Sequence, residues 1–232
     1  MIRPIFIAFA LVLLTLSACA TAGGGDNDLL PDAAGAGPDA YVPPMSDGMP
    51  PPPPPDAMPM IDAPPPCVDT TVQMLTSPGF DQNAADWNPS AGNIISPSGS
   101  LPGGLVPHSP DNVAWLGGVL SATRTIYQQI TLPADARNVS VSFYRWIATA
   151  ETDGNVWDTM TVSLQNASGG PLETLRTFSN LDANTGWTMF QYSPVGTYAG
   201  QTIRLHMSST TDNAFNTNFF IDTASLTVLT CQ

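Results

Sequence analysis

Between residues 67 and 232, short runs of Val, Ile, Thr, Phe, Tyr and Trp alternate with clusters of Gly, Pro, Asn, Asp and Ser. Inside the runs, apolar positions recur at every second residue. Val139, Val141 and Phe143 alternate with Ser140, Ser142 and Tyr144, and Met160, Val162 and Leu164 alternate with Thr159, Thr161 and Ser163. Ile203, Leu205 and Met207 alternate with Arg204 and His206, and Ile126, Ile130 and Leu132 share a face with Gln128. A period of two sends successive side chains to opposite faces, so these runs predict strands with one buried face. Turn chemistry separates them at Pro133-Ala134-Asp135, Ser168-Gly169-Gly170-Pro171, Asn184-Thr185-Gly186 and Ala199-Gly200-Gln201. No segment carries a helical stripe. Some nine to eleven strands of this kind predict an all-β domain, an antiparallel two-sheet β-sandwich (jelly roll).

The chain before residue 67 obeys neither period. Met1-Ile2-Arg3 supplies one positive charge, and residues 4–16 form an apolar run. That run is short of the roughly 20 residues needed to span a bilayer and has the length of a signal-peptide core. Leu16-Ser17-Ala18-Cys19 follows at once and resembles the lipobox of bacterial lipoproteins. The resemblance implies that residues 1–18 are a signal peptide and that the Cys19 thiol receives a diacylglycerol. It also implies cleavage before Cys19 and acylation of the new amino group. Several acyl chains anchor a protein stably where one binds only marginally. Ala20 rather than Asp after the cysteine implies, within that family, sorting to the outer membrane. Ordinary secretion with a free Cys19 is the alternative.

Residues 19–66 are built from Pro, Ala, Gly, Asp and Met and hold no Lys or Arg. Too few large apolar side chains are present to offset the entropy of ordering them, so the segment is expected to be a disordered linker. The proline run at 50–55 favours polyproline II, and seven aspartates repel one another. The expected reach is on the order of 100 Å, enough to lift a domain clear of a membrane. A ligand for an aromatic groove is the other reading of such a run. Two cysteines remain, Cys67 at the first residue after the linker and Cys231 at the penultimate position. In an oxidising compartment they are expected to pair, clasping the first and last strands. A metal or redox role is the rival, though neither cysteine belongs to a CxxC.

Charge narrows the possible partners. The formal net charge is -13, and all six basic residues are arginine. No basic patch exists to neutralise phosphates, which excludes nucleic acid as the expected partner. Attraction of the protein surface to anionic lipid is excluded on the same ground.

The order of motifs in the domain carries a second resemblance. It opens with Ser77-Pro78-Gly79-Phe80-Asp81 and Trp87. It continues through Val113-Ala114-Trp115-Leu116-Gly117-Gly118, Tyr127-Gln128-Gln129-Ile130 and Trp157-Asp158-Thr159-Met160. It closes with Phe219-Phe220-Ile221-Asp222-Thr223-Ala224-Ser225-Leu226. This succession resembles galactose-binding-like domains over nearly all of residues 72–228, and such domains serve as carbohydrate-binding modules and as accessory domains of secreted proteins. The resemblance implies a structural calcium ion held by Asp222 and Asp81, with carbonyls and water filling its six to eight positions. Thr223 stands where the family usually has a second Asp, and Asp81 where it often has Glu. By alternation, Asp222 is expected at the end of an inward face shared with Ala224, Leu226 and Val228. An Asp pairing with Arg or capping backbone N–H groups is the other reading.

Two further sets are candidate ligand-binding residues. Trp157 beside Asp158 would stack a sugar ring and bind its hydroxyls, or would close the end of the core. Tyr144 and Trp146, opposite Val141 and Phe143, would form a sugar platform or cover an outer sheet face. Trp115 and Trp187 read as core or rim residues. The two histidines, His108 and His206, have no metal-ligand spacing. The chain holds no Gly-x-Ser-x-Gly elbow, phosphate loop or dinucleotide fingerprint. The expected function is therefore a non-catalytic envelope lipoprotein that displays a binding module for a glycan or a surface protein. The alternative is a structural or accessory subunit of a larger surface complex, and a hydrolase is the least supported reading.

Overall fold

The computed structural model describes residues 67–81 and 84–231. The signal segment, Cys19 and the linker lie outside the described residues.

The strands in chain order are β1 (Asp69–Gln73), β2 (Trp87–Pro89), β3 (Ile95–Pro97), β4 (Asn112–Gly117), β5 (Thr123–Thr131) and β6 (Arg137–Thr149). They continue with β7 (Thr159–Asn166), β8 (Pro171–Ser179), β9 (Thr188–Tyr192), β10 (Thr202–Thr210) and β11 (Thr217–Cys231). One sheet has six strands, in the order β3-β4-β11-β6-β9 with β1 also paired to β11; the other has five, in the order β2-β5-β10-β7-β8. Each pairing is antiparallel. The chain therefore folds as the antiparallel two-sheet sandwich of jelly-roll kind that its alternation predicts.

The apolar rows read from the sequence face one another across the sandwich. Val141, Phe143 and Ile147 of β6 and Phe219, Ile221 and Leu226 of β11 pack against the rows Met160-Val162-Leu164 of β7 and Ile203-Leu205-Met207 of β10. All are essentially without exposed surface. Each such side chain contributes about 1.5–3 kcal/mol relative to exposure.

The central pair, β6 and β11, carries two compensating bulges. Between Asp222 and Ser225, β11 takes three steps where β6 takes two, from Tyr144 to Ser142; the extra residue is Thr223, at φ 49. Further along, β6 takes three steps from Arg137 to Ser140 against two in β11, and Asn138 sits at φ 49. Bulges of this kind bend a strand and raise its twist.

The Thr223 bulge corrects one expectation. Strict alternation puts Asp222 on the inward face with Ala224, Leu226 and Val228. The extra residue shifts the phase, so Ala224, Leu226 and Val228 join the core while Asp222 follows Phe220 onto the outer face. A φ of 49 at a β-branched residue is strained, by about 1–3 kcal/mol. The Asp222 carboxylate accepts the Thr223 N–H, which favours this local geometry.

The chain enters and leaves the domain at one end. Asp69 pairs with Cys231, and a disulfide joins Cys67 to Cys231 with the Cα atoms 5.3 Å apart. At the opposite end of β11 four connections meet. The Ser121 N–H donates to the Asp212 carbonyl and the Ala150 N–H to the Asn216 carbonyl. The Trp157 and Asp158 N–H groups both donate to Asn180 Oδ1. Gly117 is required there: at φ 78, a Cβ would stand 2.4 Å from the Thr217 carbonyl.

Candidate functional site

The outer face of the six-stranded sheet is apolar where a solvated face would be polar. Val113 and Trp115 of β4, Phe220 of β11, and Trp146 and Ala148 of β6 point away from the core and form a second cluster. The adjacent pair Phe219-Phe220 is the local cause, because consecutive aromatics place one ring on each face. The segment 98–111 lies over this floor and contributes Leu101 and Leu105 to it. The Trp187 indole N–H donates to the Val106 carbonyl at 2.8 Å, and the His108 ring stacks on Tyr144.

A cavity of about 260 Å³ opens between floor and segment. Pro102, Gly103 and Leu105 form one wall, and Trp146, Phe220 and Asn218 are among the residues that form the other. The ring of Trp187 meets that of Trp146 edge-on, with centroids 6.0 Å apart. The chain has five tryptophans, and four of them spend their indole N–H within the fold. Trp87 donates to the Ser77 carbonyl, Trp115 to Asn218 Oδ1, Trp157 to Asp153 and Trp187 to Val106. Trp146 makes no such bond among the described residues. A half-buried indole with an unspent donor, set in an apolar cavity, has the equipment to stack on a sugar ring and bond one hydroxyl.

The four residues expected to bind ligand divide between two places. Trp146 lines the cavity. Tyr144 shares its face but lies beneath His108. Trp157 is exposed at the loop end, whereas Asp158 beside it is fully buried, with Oδ1 accepting the Asp212 N–H. Trp157 and Asp158 therefore face different surroundings and make no joint platform. Leu105, Asn218 and Phe220 were not anticipated as site residues. The doubled phenylalanine was the available signal for Phe220; nothing marked Leu105, whose place depends on how the segment returns across the sheet.

Asp81 lines a groove with Ser77, Pro78, Gly79, Ser109 and Thr223, and Asp222 lies beneath it, joined to the groove wall through Ser109. Asp222 is fully buried and accepts the Ser109 N–H and hydroxyl. Burial raises the Asp81 carboxyl above its ordinary value, and the charges of Asp222 and Asp111 add to this against a lowering hydrogen bond from Asn112. A Cβ on Gly79 would lie 2.6 Å from both Asp81 Oδ2 and Ser109 Oγ, so glycine keeps the groove open. Asp81 offers carboxylate oxygen to the groove, whereas both Asp222 oxygens already accept hydrogen bonds from Ser109 and Thr223. Among the described residues no third acid or histidine joins them. The histidines lie far apart in the fold. His108 is over the outer face of the six-stranded sheet, and His206, half-buried and depressed by burial and by Arg204, is in β10 of the other sheet.

No protein-family model matches the sequence, and no curated protein matches it. Solved structures with a similar fold include TmCBM61 in complex with β-1,4-galactotriose, at TM-score 0.44 and 15% identity over 67% of this chain and 97% of that one. Another is a non-crystalline cellulose-specific carbohydrate-binding module, at TM-score 0.43 and 11% identity over 65% of this chain and 94% of that one. The enzymatically active domain of a bacteriophage CBA120 tailspike is also similar, at TM-score 0.43 and 8% identity over 69% of this chain and 21% of that one.

Proposed function

We propose that the domain is a non-catalytic binding module that takes a glycan in the Trp146 cavity, carried at the envelope by lipid on Cys19. The observation that supports it is the cavity itself: an indole whose N–H makes no bond among the described residues and a phenyl floor around about 260 Å³. That is slightly below the usual range of about 300–1,000 Å³ for small-molecule sites, the size for one ring of a chain rather than a long segment. The full chain is screened on a glycan array, and hits are titrated by calorimetry. Trp146→Ala is expected to weaken binding at least tenfold with the fold intact by circular dichroism. Uniform failure to bind glycans, with a stoichiometric protein partner after mild crosslinking, would favour an accessory subunit of a surface complex instead.

Lipid anchoring through Cys19 is tested by metabolic labelling with a fatty-acid probe; wild type takes the label and Cys19→Ser does not. We also propose that calcium bridges Asp81 and Asp222. The charge of Asp222 acting on Asp81 at one groove supports it, and a calcium-dependent rise in melting temperature that Asp81→Asn diminishes is the expected result.

A further inference from the structure

The inner faces of the sandwich are apolar for most of their length and turn polar at the loop end. In the five-stranded sheet, the inward row of β10 runs on to Ser209 and Thr211, and the inward row of β7 runs back to Asp158; all three are buried. In the six-stranded sheet, Thr149 and Thr217 meet there, with Oγ1 atoms 2.7 Å apart. Glu151 follows two residues beyond Thr149. Each of these side chains presents oxygen.

Three of those oxygens lack partners. Asp158 Oδ2, Ser209 Oγ and Glu151 Oε1 are shielded from solvent and make no hydrogen bond. A buried, unpaired carboxylate oxygen is costly, and folds normally satisfy it. Asp158 is fully buried, so water does not reach Oδ2 from the surface. The ion pairs among the described residues are Arg137–Asp69 and Arg176–Asp182, so no arginine offsets these acids. Desolvation raises the Glu151 carboxyl, and the negative charges of Asp212, Asp158 and Asp153 raise it further. The mouth of the sandwich thus concentrates negative charge with unspent lone pairs. A trapped water would satisfy one lone pair and leave the repulsion. A hard cation would answer both.

We propose that this end of the sandwich holds a divalent cation of the calcium class, bound through Asp158 Oδ2 and Glu151 Oε1 with the Ser209 hydroxyl beside them. No three acidic or histidine side chains among the described residues form a ready ligand set. Hydroxyls, carbonyls and water therefore complete the shell, as calcium's six to eight oxygen positions at about 2.3–2.6 Å permit. The ion would tie the 150–158 loop to the start of β7. It would thereby fix the exposed Trp157 at the end of the domain farthest from Cys67. This site is separate from the Asp81 groove and does not depend on the glycan reading.

The test uses the full chain stripped with chelator, titrated with calcium by calorimetry and with terbium by tryptophan-sensitised emission. Glu151→Gln and Asp158→Asn are each expected to weaken one calcium-binding event at least tenfold, and Asp81→Asn to leave that event unchanged. If Asp158→Asn fails to fold, Glu151→Gln decides alone, because its side chain stands on a loop. The proposal is overturned if the wild-type chain binds neither ion. It is equally overturned if the folded variants bind calcium as wild type does, or if binding is lost only in Asp81→Asn.

Discussion

The imidazole of His108 lies flat on the phenol ring of Tyr144, with centroids 3.6 Å apart and planes 17° from parallel. His108 Nδ1 is also 2.8 Å from the hydroxyl of Thr223, the bulge residue of β11. Together with Leu105 in the outer cluster and the Val106 carbonyl on Trp187, the stack fastens the 98–111 segment over the sheet at three places.

His108→Ala is expected to loosen this segment without unfolding the sandwich. An aromatic stack is worth about 0.5–1.5 kcal/mol, so the melting temperature should fall by only a few degrees. Limited proteolysis should show faster cutting within 98–111. Cleavage at the wild-type rate would mean that Leu105 and Trp187 hold the segment by themselves.

The Cys67–Cys231 disulfide spans 164 residues of sequence. By the chain-entropy model a loop of that length is worth about 4–5 kcal/mol. Both cysteines are exposed, so reductant should reach the bond under native conditions. The double variant Cys67→Ser, Cys231→Ser is expected to unfold at lower urea, with β1 the first strand to lose amide protection. Equal midpoints would assign the clasp to the five pairings of β1 with β11.

How far the sequence could be read depends on the range of the interaction involved. The core rows of β6, β7 and β10 were legible because alternation is local, and the disulfide because few cysteines were left to pair. The face of Asp222 was not legible. Its phase depends on one extra residue, and Thr223 is β-branched, a residue type that gives no warning of a positive φ. The cavity was half legible. Trp146 followed from its position opposite Phe143, but its wall of Pro102, Gly103 and Leu105 comes from a segment without periodicity. The opposed fates of Trp157 and Asp158 were hidden too, because the aspartate extends the inward row of β7 while the indole turns out to Asp153.

Asp81 predicts a stability that responds to both pH and calcium. Its folded pKa is raised, first by burial and then by Asp222 and Asp111. A raised acid stabilises the fold in its protonated form, so this contribution is present at low pH and is lost as pH rises through the folded value. At neutral pH without calcium, Asp81→Asn should therefore melt above wild type. With calcium the order should reverse, because only wild type keeps both carboxylates. Thermal melts of the two proteins in calcium and in chelator check this, and parallel curves under all conditions would remove the bridging ion.

Glu173 predicts the opposite acid response. Burial works to raise its carboxyl, but hydrogen bonds from the Tyr198 hydroxyl and from the Val195 and Gly196 N–H groups prevail and lower it. Its contribution is therefore complete above the ordinary value of 4.5 and is lost as pH falls through the lower folded value. Tyr198 is pushed up by burial and by the same glutamate. Its share is complete below the ordinary phenol value and is lost as pH rises through the folded one. Glu173→Gln keeps an acceptor but no charge, so it should flatten the acid limb and also shorten the alkaline limb, whose onset at the ordinary phenol value is set by the unfolded chain. Melting temperature against pH for the two proteins measures both limbs. An unchanged acid limb would show that the 194–198 turn is held by packing on Tyr198 and not by the carboxylate.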